Sequence, residues 1–323
     1  MLDYILFIIG FIFVIKGADF LVDGASAIAK RLKVSDLIIG LTIVAFGTSA
    51  PELIVNIFAS VQGNTQIAIG NVLGSNIFNI LFILGISSIV FPLLVTKDTV
   101  WKQIPFCLFA TILMGILAND NLLFQNNITE LGRLDGLIFI LFFIIFMFYI
   151  FKLAKKQRNE NKKSITYETK QPSFFVSFLF IMIGLIGLNI GAKWVVDGAI
   201  EIADLLDVSQ SLIALTIVAL GTSLPELATS VMAAFKKNAD IAVGNIVGSN
   251  IFNILLILGI SSTIRPLKFN IASNIDIFVA IIAPLLLFIT MFTGRKKHIL
   301  DRWEGIIFLI LFIGYLVFVI YRG

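Results

Sequence analysis

Residues 41–52 read LTIVAFGTSAPE, and residues 215–226 read LTIVALGTSLPE. A second pair stands at the same offset of 174, GNVLGSNIFNILFILGIS over 70–87 and GNIVGSNIFNILLILGIS over 244–261. Between 40–87 and 214–261, 30 of 48 positions are identical, which establishes an internal duplication. Each copy carries one carboxylate, Glu52 or Glu226, inside an apolar run that belongs in lipid. A charged side chain at mid-membrane costs at least ~2.5–3.5 kcal/mol, so an acid kept there marks a functional position. Two such acids at repeat-related positions predict a cation site on a pseudo-two-fold axis.

The rest of the chain agrees with a membrane setting. It is 59% hydrophobic and only 14% charged, with 31 phenylalanines and a mean hydropathy of +1.02. A span takes roughly 20 apolar residues. Ten such stretches are predicted near 2–27, 36–60, 66–93, 101–119, 134–153, 173–199, 209–235, 240–264, 272–293 and 303–321. The amino-terminal run carries Asp3 and no Lys or Arg, and it is too long for the core of a cleavable signal, so it is expected to stay as a span. The net charge of +4 is not a nucleic-acid signature, because the basic residues follow topology. With the linker 154–172 placed in the cytoplasm, ten spans put 18 Lys and Arg inside. Only Arg133, Arg265, Lys268 and Arg322 then fall outside. This asymmetry predicts both termini outside a cytoplasmic membrane.

The halves 1–153 and 173–323 therefore hold five spans each, and an odd number forces the second copy to insert upside down. Their first loops carry opposite charge, Lys30, Arg31 and Lys33 in one and Glu201, Asp204 and Asp207 in the other. That is the pattern inverted repeats produce. The duplication extends to GADFLVDGA (17–25) against GAKWVVDGA (191–199), and RLDG (133–136) resembles RWEG (302–305). The expected fold class is all-α integral membrane, ten transmembrane helices in two inverted five-helix repeats. The short basic linker 154–172 has room for a connector or a surface helix, but not for a folded regulatory domain.

The chemistry lies in the two motifs. Pro51 has no N–H, so the carbonyl of Gly47 loses its helical donor, and Pro225 does the same to Gly221. A carbonyl freed within lipid must line a cavity, bind water or coordinate an ion. Thr48, Ser49 and Glu52 stand beside the first break, and Thr222, Ser223 and Glu226 beside the second. In the second motif Asn71, Ser75 and Asn79 fall on one helix face, and Asn245, Ser249 and Asn253 repeat the stripe. Ser75, Asn79, Ser249 and Asn253 are expected at the cavity. Asn71, Asn76, Asn245 and Asn250 either join it or bind helices together. Gly70 and Gly74, like Gly244 and Gly248, form small-xxx-small pairs suited to close helix approach. Oxygen-only ligands suit hard cations such as Ca2+, Na+ or Mg2+ and not Zn2+ or Cu+. Cys107 and His298 are the only residues of their kinds, so no thiolate or imidazole metal site and no cofactor is expected. The lipid bilayer is the one partner implied, with no nucleic acid and no obligate protein partner. Lys16, Asp19 and Asp23, spaced i, i+3 and i+7, are expected to pair locally near the end of the first span.

Two ionised glutamates supply −2, which one Ca2+ or two Na+ neutralises. A site with nearly fixed charge and two kinds of occupant is a basis for exchange.

These residues resemble the alpha repeats of the cation/calcium exchanger superfamily, and the GTS-x-PE form is similar to the sodium/calcium exchanger branch, prokaryotic members included. The resemblance covers nearly the whole chain. It implies that the second, third, seventh and eighth helices form an ion-binding core across which the first and sixth slide. It implies Glu52 and Glu226 as shared Ca2+ ligands, completed by the carbonyls of Thr48 and Thr222. Ser49, Ser75, Ser223 and Ser249, with the carbonyls of Ala45 and Ala219, would form flanking Na+ sites, and Asn79 and Asn253 would close the middle. Potassium-dependent relatives carry Asp at the position of Asn253, so the amide argues against potassium co-transport. The resemblance also implies three Na+ for one Ca2+, hence electrogenic exchange. The expected function is a secondary Na+/Ca2+ antiporter that extrudes Ca2+. Proton/calcium antiport, with the two glutamates as proton carriers, is the alternative, a cation channel a further one, and an enzyme the most remote.

Overall fold

The computed structural model describes residues 2–119, 130–161, 172–205, 221–294 and 297–322. Almost everything described is helix, as lipid demands when no water is present to satisfy a bare backbone. In chain order the helices are α1 (Leu2–Leu32), α2 (Asp36–Thr48), α3 (Ala50–Gln62), α4 (Thr65–Val90), α5 (Thr99–Ala118), α6 (Arg133–Asn161), α7 (Phe174–Leu205), α8 (Leu224–Phe235), α9 (Ala239–Ile264), α10 (Asn274–Thr290) and α11 (Arg302–Arg322).

Among the described residues, eight helices are long and apolar enough to cross a bilayer, and α2 with α3 makes a ninth as one span bent by 47°. The expected span 36–60 is thus a broken helix. Of the expected span 209–235 only residues 221–235 are described, α8 and the three residues before it, because residues 206–220, Asp207 and Ala219 among them, lie outside the described residues. The start of the linker is not a loop, since α6 continues through residues 154–161.

Burial separates centre from rim. The most apolar stretches of α9 and α4 are 94% and 78% buried, against 17% for α6 and 22% for α11. Helices α4 and α9 therefore form the middle, and the exposed faces of α1, α6, α7 and α11 carry the phenylalanines and isoleucines that meet lipid. Lipid tails are as apolar as leucine, so helices here associate through close packing rather than hydrophobic drive. The longest interface shows this. Helices α1 and α7 run antiparallel with glycines every seventh residue, Gly10, Gly17 and Gly24 on one and Gly184, Gly191 and Gly198 on the other. A Cβ at Gly17 would lie 2.7 Å from the Leu188 nitrogen and 2.8 Å from the Gly184 oxygen.

The symmetry is visible at the ends as well. Asp135 accepts from the Gly132 N–H at 2.7 Å, and Glu304 accepts from the Asp301 N–H at 2.8 Å. The RLDG and RWEG segments are therefore the same helix cap used twice. Two short antiparallel ladders clip the repeats together. Strand β1 (Leu93–Leu94) pairs with β4 (Ile299–Leu300), and β2 (Glu130–Leu131) with β3 (Leu267–Lys268). Each joins loops that the ten-span reading places on the same side of the bilayer.

Candidate cation site

The site forms where the helices depart from regular geometry. At Ser49 the backbone leaves the helix (φ −81°, ψ 9°) and Pro51 opens α3. Ser223 has nearly the same dihedrals (φ −91°, ψ 8°), with Pro225 opening α8. Helices α4 and α9 each widen into a π turn, Phe78–Ile83 and Phe252–Leu258, and these contain Asn79 and Asn253. Such single wide turns leave backbone groups less regularly paired and recur at functional positions. Another spans Gly40–Val44, just ahead of the first break.

The side chains meet across the pseudo-two-fold axis, each repeat holding the other. Ser49 Oγ donates to Glu226 Oε1 at 3.0 Å, and Ser223 Oγ donates to Glu52 Oε1 at 3.0 Å. Ser249 Oγ adds a bond to Glu226 Oε1 at 3.3 Å. Both glutamates are 1% exposed. The asparagines interlock in the same reciprocal way. Asn76 Nδ2 donates to the Asn250 carbonyl at 3.2 Å, and Asn250 Nδ2 to the Asn76 carbonyl at 3.1 Å. Asn79 Nδ2 donates to Asn250 Oδ1, and Asn253 Nδ2 to Asn76 Oδ1, both at 2.9 Å. With their NH2 groups committed, Asn79 and Asn253 keep their Oδ1 atoms for something else.

What remains is a set of buried oxygens. Among the described residues, Glu52 Oε2, Glu226 Oε2, Ser75 Oγ, Asn79 Oδ1 and Asn253 Oδ1 have no hydrogen-bond partner. Leaving several such groups unsatisfied in one place is costly, and a hard cation is the ligand that carboxylate, amide and hydroxyl oxygens satisfy together. No group of three or more His, Cys, Asp or Glu capable of holding a metal occurs among the described residues.

Several expected roles acquire geometry here. The Thr48 hydroxyl reaches Asn245 Oδ1 at 3.0 Å. Thr222, half-buried, reaches Asn71 Oδ1 at 3.5 Å. The Ala45 carbonyl accepts from Ser49 N at 3.0 Å and lies 3.3 Å from Thr48 Oγ1, whose single proton can serve either this carbonyl or Asn245 Oδ1. Gly47 and Gly221 sit buried before their breaks, and a Cβ on Gly47 would collide with the Leu185 side chain at 2.6 Å. Gly244 and Gly248 bring α9 against α2, with Leu41 Cα 3.0 Å from a Cβ at Gly248. The stretch that symmetry sets against Gly70 and Gly74 lies mostly outside the described residues.

Asn71, Asn76, Asn245 and Asn250 prove to be the helix-binding set, and two of them also orient site oxygens. The local pair of Lys16 with Asp19 forms, but Asp23 takes a partner from another helix. Lys16 stands 3.9 Å from Asp19, whereas both aspartates are held at 2.6 Å by Lys236, the residue after α8.

The sequence profile described as Sodium/calcium exchanger protein matches residues 2–152 and 176–321. The sodium/calcium exchanger MaX1 of Methanosarcina acetivorans is 33% identical over 350 aligned residues, covering 99% of each chain. The inner membrane protein YrbG of Escherichia coli is 36% identical over 291 residues, 87% of each chain. Among solved structures, that of the sodium-calcium exchanger NCX_Mj superposes with a TM-score of 0.82 at 34% identity, covering 98% of both chains.

Proposed function

We propose, from the premise that the chain belongs to the sodium/calcium exchanger protein family, that it is a Na+/Ca2+ antiporter whose exchange centre is the cage between Glu52 and Glu226. Family membership makes it a multi-pass membrane exchanger of cations including Ca2+. Glu52 and Glu226 bind Ca2+, with the Thr48 and Thr222 carbonyls beside them. Ser49, Ser75, Ser223 and Ser249, with the Ala45 and Ala219 carbonyls, take Na+ in flanking positions, and Asn79 and Asn253 serve both. The units are residues 1–153 and 173–323, joined by a cytoplasmic linker in a cytoplasmic membrane with both termini outside. The inward Na+ gradient drives Ca2+ out by alternating access about this fixed centre.

One observation carries the reading. Five oxygens with no hydrogen-bond partner among the described residues are buried where α3 and α8 begin beside the widened turns of α4 and α9. The two carboxylates give the cage a charge that one divalent or several monovalent cations balance, so different occupants compete for the same oxygens. The hydroxyls of Ser49, Ser223 and Ser249 hold one oxygen of each glutamate. The other oxygen is thereby aimed inward before an ion arrives, which lowers the cost of assembling the site.

The test is uptake of radiolabelled Ca2+ into proteoliposomes loaded with Na+ and diluted into Na+-free buffer, with K+-loaded vesicles as control. Uptake that requires internal Na+, and its loss in Glu52→Gln and Glu226→Gln variants that still elute as folded protein, is the expected result. Uptake indifferent to Na+ but driven by a pH gradient would transfer the protein to proton/calcium antiport. Flux with no counter-ion would make it a channel. Full exchange in both variants would remove the glutamates from the site.

A further inference from the structure

Between the α1–α7 pair and the broken helix lies a second cavity, unlike the cation cage in every chemical respect. It has a volume of about 710 Å³, within the range that accommodates an organic ligand. Ile28 and Leu32 of α1, Ile43, Phe46 and Gly47 of α2, and Met182 and Leu185 of α7 are among its walls. Among the described residues the one polar side chain in the lining, Asn189, donates its Nδ2 to the Leu185 carbonyl at 2.8 Å and so turns toward its own helix. Nothing in this cavity suits an ion or water, which needs two or more polar partners.

The cavity opens sideways. Its rim residues Phe46, Phe178 and Ile186 are exposed apolar side chains on helices of membrane-spanning length, so its mouth faces acyl chains. Along α7 it extends from Phe174 to Ile190, ~24 Å at the helical rise, against about 15 Å for one leaflet's hydrocarbon. A lipid tail entering at the Phe174 end therefore reaches the bilayer midplane. That end is basic. Lys30 and Arg31 close α1, and Arg31 Nη1 reaches the Pro172 carbonyl at 3.2 Å, beside the start of α7. Ser35 N donates to Gln157 Oε1 at 2.9 Å, which brings the Lys156–Arg158 end of α6 to the same place. The linker residues 162–171, KKSITYETKQ, offer no apolar run that would fill the groove instead.

We infer that this groove binds one anionic diacyl phospholipid, an acyl chain lying along α7 and the phosphate facing Lys30 and Arg31. The occupant touches both the α1–α7 pair and the break at Gly47 and Ala50 that leads to Glu52. It is therefore a lipid seated between the two bodies whose relative movement alternating access requires. The inference does not depend on which cations cross.

The experiment uses the full chain in phosphatidylcholine nanodiscs doped with either phosphatidylglycerol or phosphatidylcholine bearing a diazirine within the acyl chain. Labelled peptides are mapped after photolysis. The phosphatidylglycerol probe is expected to label Ile181, Met182 and Leu185 in preference, by about five-fold for each basic residue that faces the phosphate. Both probes should label the lipid-facing residues Leu141, Ile144 and Phe148 of α6 equally. The Lys30→Gln/Arg31→Gln double variant should lose the preference without changing the α6 pattern. Ile186→Trp, which fills the groove, should lose the groove labelling itself, and Met182→Phe replaces it if that protein does not elute as a single folded species. Equal labelling of the groove by both probes, untouched by the double variant, would reduce it to ordinary lipid contact. Absence of groove labelling by either probe would overturn the site.

Discussion

At the residue scale, the consequential feature is that the cage is oriented by side chains outside it. Asn250 receives Asn79 Nδ2 on its Oδ1 and spends its own NH2 on the Asn76 carbonyl. Asn76 does the same for Asn253. Removing such a supporting group typically lowers metal affinity 10–100-fold while leaving the ligands in place. Asn250→Ala is therefore expected to raise the Ca2+ concentration for half-maximal exchange by about that factor, with the maximal rate much less affected. Ca2+ dependence of uptake in proteoliposomes checks it, and an unchanged half-saturation would reduce the asparagine pair to helix packing. The two repeats also differ at one instructive position. Asn245 donates to Ser230 Oγ at 3.0 Å and to the Glu226 carbonyl at 3.4 Å. In the first repeat Asn56 stands where the second has Ser230, and its Nδ2 takes the Glu52 carbonyl at 2.9 Å. The Asn71 amide nitrogen is left without a partner among the described residues. The cage is thus symmetric in its ligands and asymmetric in what stands behind them.

At the element scale, the α1–α7 pair is set by glycine. The backbones are so close at Gly17 and Gly184 that each would place a Cβ under 3.0 Å from main-chain atoms of the other helix. Main-chain atoms cannot rotate aside, so Gly17→Leu must separate the helices. The expected outcome is a loss of roughly 1–3 kcal/mol, the range for overpacking, seen as a lower melting temperature in detergent. Gly314→Ala, on the exposed face of α11 with no atom within 4 Å among the described residues, should melt like the parent, and equal melting of the two variants would show that the crossing tolerates side chains. This scale also shows what sequence could and could not reveal. The apolar runs, the 174-residue offset and Pro51 gave the helices, their duplication and the break, because each rests on local chemistry. The wide turns at Asn79 and Asn253 were hidden, since no residue type there interrupts a helical pattern. Asn76 and Asn250 lie off the Asn–Ser–Asn stripe, so only their recurrence in both copies signalled a role. The partner that Asp19 and Asp23 share was out of reach, because Lys236 is more than 200 residues away and meets them only once α8 packs on α1.

At the scale of the whole molecule, two near-equal halves are biased by charges placed on one side and by charge moved through the middle. The bias is the Lys236 bridge to α1, for which the other repeat has Gln62 at the equivalent position. Both ion pairs are partly exposed and share one lysine, so their worth is about 0–1 kcal/mol, up to roughly five-fold in an equilibrium between inward- and outward-open forms. Lys236→Gln is expected to speed the reaction of a water-soluble maleimide with a cysteine introduced at Ala29, which is buried near that end of α1. An unchanged rate would leave the bridge a static tie. The charge moved per turnover is decided by the coupling ratio, and the cage decides which loaded form carries it. In the proposed centre Glu52 and Glu226 are the carboxylates and Asn253 is an amide, so a Ca2+-loaded form would be neutral and one carrying three Na+ would be +1. Moving one elementary charge through 100 mV is worth about 2.3 kcal/mol, which makes three-for-one exchange steeply sensitive to voltage and two-for-one exchange indifferent. In Na+-loaded vesicles, three-for-one uptake of Ca2+ would send that net charge outward. An inside-positive potential set by valinomycin and an inward K+ gradient should therefore accelerate uptake, and an inside-negative one should slow it. Equal rates at both potentials would fix the coupling at two Na+, or their equivalent in protons, for each Ca2+. Asn253→Asp, by adding a third carboxylate to the same oxygens, would make the three-Na+ centre neutral and the Ca2+ centre −1, so the net charge per turnover stays +1 and the voltage dependence should keep its sign; a reversed sign would overturn this charge count.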